Sequence, residues 1–503
     1  MRITINQQCK TPYFRQITNQ IKGMILKGEI PDGTMLPSER TMAELCKVHR
    51  NTVIKAYHEL KADGFITSSQ GKGYMTVYRQ QEEDHDPESV NWESRIRSQI
   101  QDMDTAYDLL FSRSYDKTKI SFAAGLVSPD IYTNDVMNSL QRTLAQRSKD
   151  RPLLVDSYNY THQQGMIELR NQLALFFKGK GFNTSARQIQ VVADSIQAID
   201  FLAEMLLEEG DVVLVEEPTS PDLFRSLQLK SVKVVTIPTD EDGIVVDVAD
   251  SMIRKHRPKL ICVHSGYQDP SGVSTILERR KALLKLSYRY GIPILENDDS
   301  SELYYGENQP VSYSSLDQGN SVVSIYSFDL TFTPGVRVAC VLGPRQVIDN
   351  MSKIVAMRLT CFDSLSQMVL YECIQTGIYE EALKRMRKEY RRKRDLMVEL
   401  LQPLWDMGAQ CHIPEGGVYL WIRLPDDIVR GDRLKRCAEK RNLLIVPGYL
   451  FFPYGTGGEE YIRLNYSFPS EEQIREGIEK LIEAVKEAQT SGENDQLVRA
   501  NNL

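Results

Sequence analysis

The sequence predicts a multidomain protein in which a small helical domain with a β-hairpin precedes a large α/β domain. Residues 11–78 contain helix-spaced apolar side chains, a tight turn and two short β-like runs. Residues 79–90 are polar and acidic and include a proline, which is typical of a linker. From about residue 120, short apolar runs alternate with helical stretches, and this alternation is typical of a largely parallel sheet.

Composition places the chain among ordinary globular proteins. It has 503 residues, of which 41% are hydrophobic and 26% charged. No stretch approaches the ~18 consecutive apolar residues of a membrane span, and the N-terminal residues lack the apolar core of a signal peptide. The eight cysteines show no metal-binding spacing. We therefore expect a cytoplasmic protein with no metal site and no membrane partner.

Charge is divided unevenly along the chain. Residues 1–78 hold 11 Lys and Arg against 6 Asp and Glu, a formal charge of +5. Because the whole chain has a net charge of −7, the remainder carries −12. Nucleic-acid phosphates attract basic modules, so this division favours a DNA-binding domain joined to an acidic body.

Three helices are predicted in the N-terminal domain. The first has an apolar face of Phe14, Ile17, Ile21 and Ile25 at helical spacing. Ser38 caps the second helix, which directs Met42, Ala43 and Leu45 inward. The third helix opens at Arg50. Its apolar face comprises Val53, Ala56, Tyr57 and Leu60.

The second and third helices are joined by a tight turn, an arrangement that lets the third helix enter the major groove of DNA. Its outward residues Arg50, Thr52 and Lys55 are of types that bond phosphates and base edges. Two short strands, at 65–67 and 74–77, form a hairpin whose glycine-rich tip would be a wing beside the duplex.

The segments LPSERTMAE, RNTVIKAYHEL, GFI and GKGYMTV resemble the GntR-type winged helix-turn-helix over residues 11–78. The resemblance implies a domain, at residues 1–78, that binds double-stranded DNA in a transcription regulator. It also implies contacts to DNA from the second and third helices and from the tip of the wing. The residues concerned are Arg40, Arg50, Thr52, Lys55, Gly71 and Lys72.

A linker with one amphipathic helix is predicted over residues 79–117. Apolar residues recur there at spacings of three and four, from Trp92 to Leu110. The helix could dock on its own chain or on a partner protein, and the sequence leaves both open.

The large domain is predicted to contain short strands with helices between several of them, such as 196–208 and 278–289. A long helix at 379–401 precedes a mixed α+β region, and residues 489–503 are expected to be disordered. The predicted strands are 211–216, 232–237, 260–263, 293–295, 322–326 and 338–342.

Motifs in this region resemble a fold-type I aminotransferase domain over residues 118–488, with a large part at 118–375 and a smaller α+β part at 376–488. Joined to a GntR-type winged helix, such a domain resembles the MocR/GabR family of bacterial regulators. The resemblance implies that the large domain binds pyridoxal phosphate (PLP), senses an amino compound or a vitamer, and makes the protein a homodimer. The motif residues are Tyr160, Gly165, Leu169-Arg170, Gly210-Asp211, Glu217-Pro218, Gln268 to Gly272, Pro334 to Arg337, Gly416-Gly417, Pro447-Gly448 and Arg463-Leu464.

The chain departs from that family at the residue that matters most for the cofactor. PLP chemistry requires a lysine for the Schiff base. In a motif like SFSKxxxPGxR, Leu330 occupies the lysine position, and no other lysine occurs between Lys285 and Lys353. Leucine has no amine. The sequence therefore predicts a degenerate cofactor site, a pseudoenzyme and no covalently bound cofactor.

Two further cofactor positions differ from the family pattern. In a motif like EDDYDSE, Asn297 replaces the acid that pairs with the pyridinium nitrogen and Asp299 replaces a tyrosine, although a one-residue slip would restore Asp298. In the phosphate cup, a motif like SGAQQAL, Asp194 replaces a glycine and Ile196 a polar contact. A carboxylate ~4 Å from a phosphate costs several kcal/mol at an effective dielectric constant of about 20.

Residues suited to anions remain in the predicted cleft. Arg463 matches the family arginine that grips a substrate carboxylate, and Arg337 matches the one that meets the phosphate. Together with Ser195 and Asn297, they are candidates for binding a small carboxylate or an amino acid. Both arginines could instead form structural ion pairs.

These observations predict a DNA-binding transcription regulator of the MocR/GabR type. Its aminotransferase-like domain would dimerise the protein, with or without sensing a non-covalent ligand. The alternatives are a regulator that still binds PLP, as the resemblance allows, and a PLP-dependent aminotransferase that carries a helix-turn-helix. Leu330 argues against the enzyme.

Overall fold

The chain divides into two compact units, Met1–Met103 and Asp104–Leu503, and each is described by itself. The sequence-based boundaries at residues 78 and 118 remain predictions, and nearly all of the predicted linker helix lies outside the described residues. The computed structural model describes residues 3–5, 11–69, 73–77, 95–96, 118–128, 130–132, 137–138, 140–142, 145, 163–333, 335–358, 363–425 and 431–500.

The N-terminal unit contains the three predicted helices, α1 (Tyr13–Leu26), α2 (Glu39–Cys46) and α3 (Arg50–Ala62). They are followed by the antiparallel hairpin β1 (Ile66–Ser69) and β2 (Gly73–Thr76). One apolar core joins the three helices. Its fully buried side chains are Ile17, Ile21, Val53, Ala56, Tyr57 and Leu60, which confirms the predicted faces of α1 and α3.

The start of α2 is as predicted, but one of its predicted core residues is wrong. The Ser38 hydroxyl accepts a hydrogen bond from the Thr41 backbone N–H at 3.2 Å and caps the helix. Leu45, however, is 60% exposed, and Cys46 is buried instead. Successive residues lie about 100° apart around a helix, so Cys46 rather than Leu45 shares the face of Met42.

The large unit contains an eight-stranded sheet, in the order β4-β11-β10-β9-β8-β5-β6-β7. The neighbouring pairs from β10 through β6 are parallel, whereas β11 and β7 run antiparallel to their neighbours. The sheet is therefore largely parallel, as predicted. Its strands are β4 (Ile189–Val192), β5 (Val212–Glu217), β6 (Lys233–Asp240), β7 (Gly243–Ile244), β8 (Leu260–His264), β9 (Ile294–Asp298), β10 (Val322–Ser327) and β11 (Ala339–Leu342).

Helices cover both faces of this sheet, which explains why most residues of its central strands are buried. One apolar cluster joins α5, α6 and α10 to one face, and another joins α7 and α8 to the other. The helices of this part are α4 (Ile167–Lys178), α5 (Ser195–Leu206), α6 (Pro221–Leu229), α7 (Val246–His256), α8 (Leu277–Tyr290), α9 (Tyr313–Leu316), α10 (Arg345–Arg358) and α11 (Ser364–Gln375).

The C-terminal part is α+β, as predicted. A four-stranded antiparallel sheet has the order β12-β13-β16-β15. Short β14 pairs with β3 (Ile120–Ser121), which precedes the eight-stranded sheet in the chain. The elements are α12 (Ile378–Leu400), α13 (Gln402–Asp406), β12 (Gln410–Cys411), β13 (Tyr419–Arg423), α14 (Gly431–Glu439), β14 (Leu443–Leu444), β15 (Val446–Pro447), β16 (Tyr461–Asn465) and α15 (Glu471–Ala500).

The last helix differs from the sequence-based expectation. A disordered tail was expected from residue 489, but α15 continues to Ala500. The segment contains no proline and follows about five turns of helix, and adding residues to an existing helix is much easier than starting one. No described helix is both long enough and apolar enough to cross a membrane.

Candidate functional site

The predicted DNA-contact residues lie on the exposed ends of α2 and α3. Arg40 is on α2 with 85% of its side chain exposed, and its nearest acid is Glu44 at 3.5 Å, one turn along the same helix. Thr52 is half-buried and Lys55 is exposed on α3. The Lys55 ammonium lies 4.1 Å from the centroid of the Phe14 ring, so the ring supports it while it stays in solvent. Gly71 and Lys72 lie outside the described residues.

Arg50 is held in a defined position at the start of α3. Its Nη2 and Nε atoms donate to Oε2 of Glu39, at 2.8 and 3.2 Å. Tyr74, from the hairpin, donates its hydroxyl to the other oxygen of Glu39 at 3.3 Å. Arg50 keeps 63% of its side chain exposed, whereas Glu39 is only 18% exposed. Glu39 therefore orients the Arg50 side chain and links it to the hairpin through Tyr74. The sequence analysis did not predict this role.

A second candidate site lies in the large unit, at the carboxyl ends of the strands, where open α/β sheets bind their ligands. Here a cleft of ≈ 430 Å³ receives residues from loops after β4, β5, β8 and β9, from β10, and from β13 and β16. That volume is typical of small-molecule sites. Its lining includes Gly125, Asp194, Ser195, Ile196, Asp222, Asp269, Asp299, Ser327, Asp329, Leu330, Arg337, Tyr419 and Arg463.

Asp194 occupies the N-terminus of α5. Its carboxylate accepts the backbone N–H of Gln197 at 2.7 Å, which caps the helix. The same carboxylate forms an ion pair with Arg337, whose side chain is otherwise 64% exposed. A helix N-terminus attracts anions, and an internal carboxylate already fills that place here. Ser195 and Ile196, the next two residues, also line the cleft.

Arg463 is buried and its guanidinium is largely occupied. Nη1 donates to both oxygens of Asp269, at 2.7 and 2.9 Å, and Nη2 donates to the Ala123 carbonyl at 2.7 Å. Only 3% of the side chain is exposed, and the rings of Tyr419 and Phe451 flank it with centroids 4.1 and 4.9 Å away. Nε is buried and has no hydrogen-bond partner within the described part of the chain. The two arginines expected to bind an anion are thus both paired with aspartates.

Leu330 lines the same cleft and packs against the largest apolar cluster of the unit. The chain passes close by at Gly125. A β-carbon at this position would lie 1.9 Å from the Tyr419 hydroxyl and 3.3 Å from Cδ2 of Leu330, so only glycine fits there. Lysine is absent from the described residues that line the cleft.

The strand β9 places the three residues of the predicted pyridinium motif in different surroundings. Asn297 is 8% exposed, and its side chain lies on the sheet face that carries Leu295 and, on β10, Ile325. Asp298 points to the opposite face and accepts the Ser301 hydroxyl at 2.7 Å. Asp299 follows the strand and lines the cleft. This alternation favours the register in which Asn297, not Asp298, stands nearest the cleft.

Burial changes the acidity of the cleft aspartates. Burial raises the pKa of Asp299, whereas His264 acts against this change and Asp269 adds to it. Burial also raises the pKa of Asp329 to about 6, although the Ser327 hydroxyl donates to its carboxylate at 2.8 Å. These carboxylates therefore lie in an environment that disfavours negative charge when no counterion is present.

Four residues that line the cleft were not predicted as site residues from the sequence, namely Asp222, Asp269, Asp329 and Tyr419. They come from separate elements, and nothing in their local sequence shows that the fold brings them together. Asp269 and Asp329 lie in motifs that the sequence analysis identified, but neither was predicted as a site residue. Among the described residues, no group of three or more His, Cys, Asp or Glu side chains is arranged to hold a metal ion.

Comparison with known proteins identifies both units. Residues 132–481 match the family described as aminotransferase class I and II, and residues 14–75 match the gntR family of bacterial regulatory proteins. The chain is 28% identical over 479 residues to YdfD of Bacillus subtilis, named an uncharacterized HTH-type transcriptional regulator; the match covers 95% of this chain and 97% of that protein. It is 26% identical over 458 residues to the HTH-type transcriptional regulator NorG of Staphylococcus aureus, with 90% and 99% covered.

Solved structures give the same result for the large unit. The α-aminoadipate aminotransferase LysN of Thermus thermophilus, crystallised with N-(5′-phosphopyridoxyl)-L-leucine, superposes with a TM-score of 0.72 at 26% identity and covers 80% of this chain and 100% of its own. A kynurenine aminotransferase of Pyrococcus horikoshii also has a TM-score of 0.72 at 26% identity, with 79% and 98% covered. These similarities confirm the fold-type I architecture.

The N-terminal winged helix and the relatives named as regulators establish DNA binding in transcription regulation, and they confirm the predicted architecture. The chain belongs to the class I and II aminotransferase family through its large unit and, with its GntR-type N-terminal domain, is a DNA-binding transcription regulator of the MocR/GabR type.

Proposed function

We propose that this regulator reads DNA through α3 and that its aminotransferase-like unit binds a small molecule without forming a Schiff base. The observation that carries the second part is Leu330, which lines the cleft at the position where an amine would have to stand. A leucine side chain offers no nucleophile to an aldehyde. The unit would therefore act as a non-enzymatic sensor.

The phosphate of PLP also fits poorly. Asp194 already occupies the N-terminus of α5, where the helix would otherwise bind a phosphate, and it neutralises Arg337. A phosphate dianion placed there would meet a carboxylate, and the two repel each other. Asn297 can hydrogen-bond a ring nitrogen but, being neutral, cannot keep it protonated. These residues together argue against useful binding of PLP.

DNA recognition would follow the usual geometry of a winged helix. Arg50, Thr52 and Lys55 of α3 would contact the major groove, Arg40 the backbone, and the wing tip at Gly71 and Lys72 the adjacent groove. We further propose that the large unit makes the protein a homodimer, which would present two recognition helices to a repeated or palindromic site. Such a regulator acts where the chromosome lies, in the cytoplasm.

Selection of DNA from a random pool by the full-length protein tests this proposal. We expect enrichment of a two-part site whose halves lie about 10 base pairs apart, or a multiple of that distance. A variant with Arg50→Ala should enrich the site clearly less than the wild type does. Arg187→Ala, which removes an exposed arginine from the large unit, should enrich the same site as strongly as the wild type. Enrichment of single half-sites alone would contradict the dimer, and equal enrichment by Arg50→Ala would contradict the assigned helix.

A further inference from the structure

The cleft has an excess of negative charge. Five aspartates line it, against two arginines. Each arginine already pairs with one aspartate, Arg337 with Asp194 and Arg463 with Asp269. Asp299 and Asp329 form no ion pair with any described residue, and Asp222 also lines the cleft. A carboxylate ligand would enter a site that repels it, since the two groups suited to bind it are neutralised.

An independent feature beside these aspartates also calls for a ligand. Asn297 is 8% exposed, and its buried Oδ1 atom has no hydrogen-bond partner among the described residues. Buried polar groups are nearly always paired, because an unpaired one costs the full loss of its hydration. Its side chain projects from the sheet face that carries Ser327 of the cleft wall, near the carboxyl edge of the sheet. The Oδ1 atom is a hydrogen-bond acceptor and therefore suits a ligand that donates.

We propose that the cleft binds a small aliphatic amine in its cationic form, with the ammonium group held between Asp299 and Asp329. This inference rests on the proposed function, in which the cleft binds a ligand without covalent chemistry. An ammonium supplies the counterion that both carboxylates lack and N–H donors of the kind that Asn297 lacks. Ile196, Leu330 and Tyr419 line the same cleft and offer apolar surface to the methylene groups of the amine.

The raised pKa of Asp329 predicts how the affinity for the amine changes with pH. The pKa of Asp329 is about 6 in the free protein, raised by burial and by the nearby charges of Asp299 and Asp222. The other charged groups lining the cleft are the Arg337–Asp194 and Arg463–Asp269 pairs. An aliphatic amine remains protonated up to a pH of about 10. Binding should therefore strengthen as the pH rises through 6 and Asp329 ionises, and it should weaken below.

Calorimetric titration of the full-length protein tests the proposal with three four-carbon probes whose two end groups differ in charge. These are putrescine, a dication, butanediol, which is neutral, and succinate, a dianion. We expect putrescine to bind, with an affinity several-fold higher at about pH 7 than at about pH 5, and we expect no heat from the other two. Asp329→Asn, which retains an acceptor for the Ser327 hydroxyl, should weaken putrescine by about tenfold or more.

The matched control is Asp349→Asn, which removes the same charge from an exposed position on α10. It should leave putrescine binding unchanged. Asp299→Asn serves as a second variant of the cleft. Circular dichroism of all three variants distinguishes loss of ligand binding from loss of the fold. Absence of putrescine binding to the wild type would overturn the proposal. So would putrescine binding by Asp329→Asn and Asp299→Asn that is as tight as binding by the wild type. Binding of succinate in place of putrescine would also overturn it, while leaving a non-covalent ligand site, and with it the proposed function, intact.

Discussion

Arginine has opposite settings in the two units of this chain. Arg50, at the start of α3, is anchored by Glu39 on one side and keeps 63% of its side chain in solvent. Arg463, in the cleft of the large unit, is 3% exposed and bonds both oxygens of Asp269 and a backbone carbonyl. One guanidinium is available to a phosphate, and the other is already committed. The residue type gives only the capacity to bind an anion, and the neighbours decide whether that capacity is free.

The largest expected effect comes from breaking the committed pair. Asp269→Asn leaves the buried guanidinium of Arg463 without its counterion, and loss of one partner of a buried pair costs about 3–5 kcal/mol. Denaturant unfolding of the large unit should therefore shift to markedly lower denaturant concentration. Asp349→Asn, which breaks an exposed pair with Arg345 on one helix, is the control and should change stability by about 0.5 kcal/mol or less. Similar midpoints for the two variants would mean that Arg463 is not committed to Asp269.

The next effect concerns the available arginine. Arg50→Ala removes an exposed, oriented guanidinium from the recognition helix and should weaken DNA binding by about 1–3 kcal/mol, roughly five- to 150-fold. Fluorescence anisotropy with the selected DNA, repeated over a salt series, measures this loss. The Arg187→Ala variant should bind as the wild type does. Retention of full affinity by Arg50→Ala would place the DNA contact elsewhere on the unit.

A smaller effect is expected from a substitution that frees Arg337 in the cleft to bind an anion. Asp194→Ser keeps an N-cap on α5 but removes the carboxylate that fills the helix N-terminus and neutralises Arg337. We expect inorganic phosphate to bind this variant about tenfold more tightly than the wild type, since a freed helix N-terminus and a freed arginine both favour an anion. Titration calorimetry at constant ionic strength measures the gain. Equal phosphate binding by the two proteins would show that Asp194 does not block the site.

The smallest effect tests the anchor of Arg50. Glu39→Gln keeps the shape of the side chain but weakens its hold on the guanidinium, and exposed ion pairs contribute about 0.2–1 kcal/mol. DNA affinity should fall by about two- to fivefold because Arg50 loses its fixed orientation, although the protein has lost a negative charge near the DNA. A purely electrostatic role for Glu39 predicts the reverse, tighter binding, so the sign of the change separates the two.

The N-terminal unit was predictable from sequence because its determinants are local. The cap at Ser38, the apolar face of α3 and the hairpin each depend on residues a few positions apart. Leu45 was misplaced because α2 is short and its spacing allows two faces. The contact of Glu39 with Tyr74 joins residues 35 positions apart, and no local pattern reveals it.

The large unit shows the same division between local and distant information. Six of the eight strands of its large sheet and the replacement at Leu330 could be found in the sequence, since each is confined to one segment. The strands β4 and β7 were not predicted. The partners of the two arginines could not. Asp269 lies 194 positions from Arg463, and Asp194 lies 143 positions from Arg337, so only the fold brings them together. From the sequence, these arginines could either bind a ligand or form structural ion pairs. The geometry favours the ion pairs.

We propose that the aminotransferase-like unit does not form a Schiff base with PLP. The decisive experiment is an absorption titration of the purified full-length protein with PLP, followed by borohydride reduction and intact-mass measurement. We expect no Schiff-base band and no gain in mass, because Leu330 supplies no amine and Asp194 occupies the place of the phosphate. A stable band and one phosphopyridoxyl adduct per chain would contradict it, since another lysine would then have to serve the cleft.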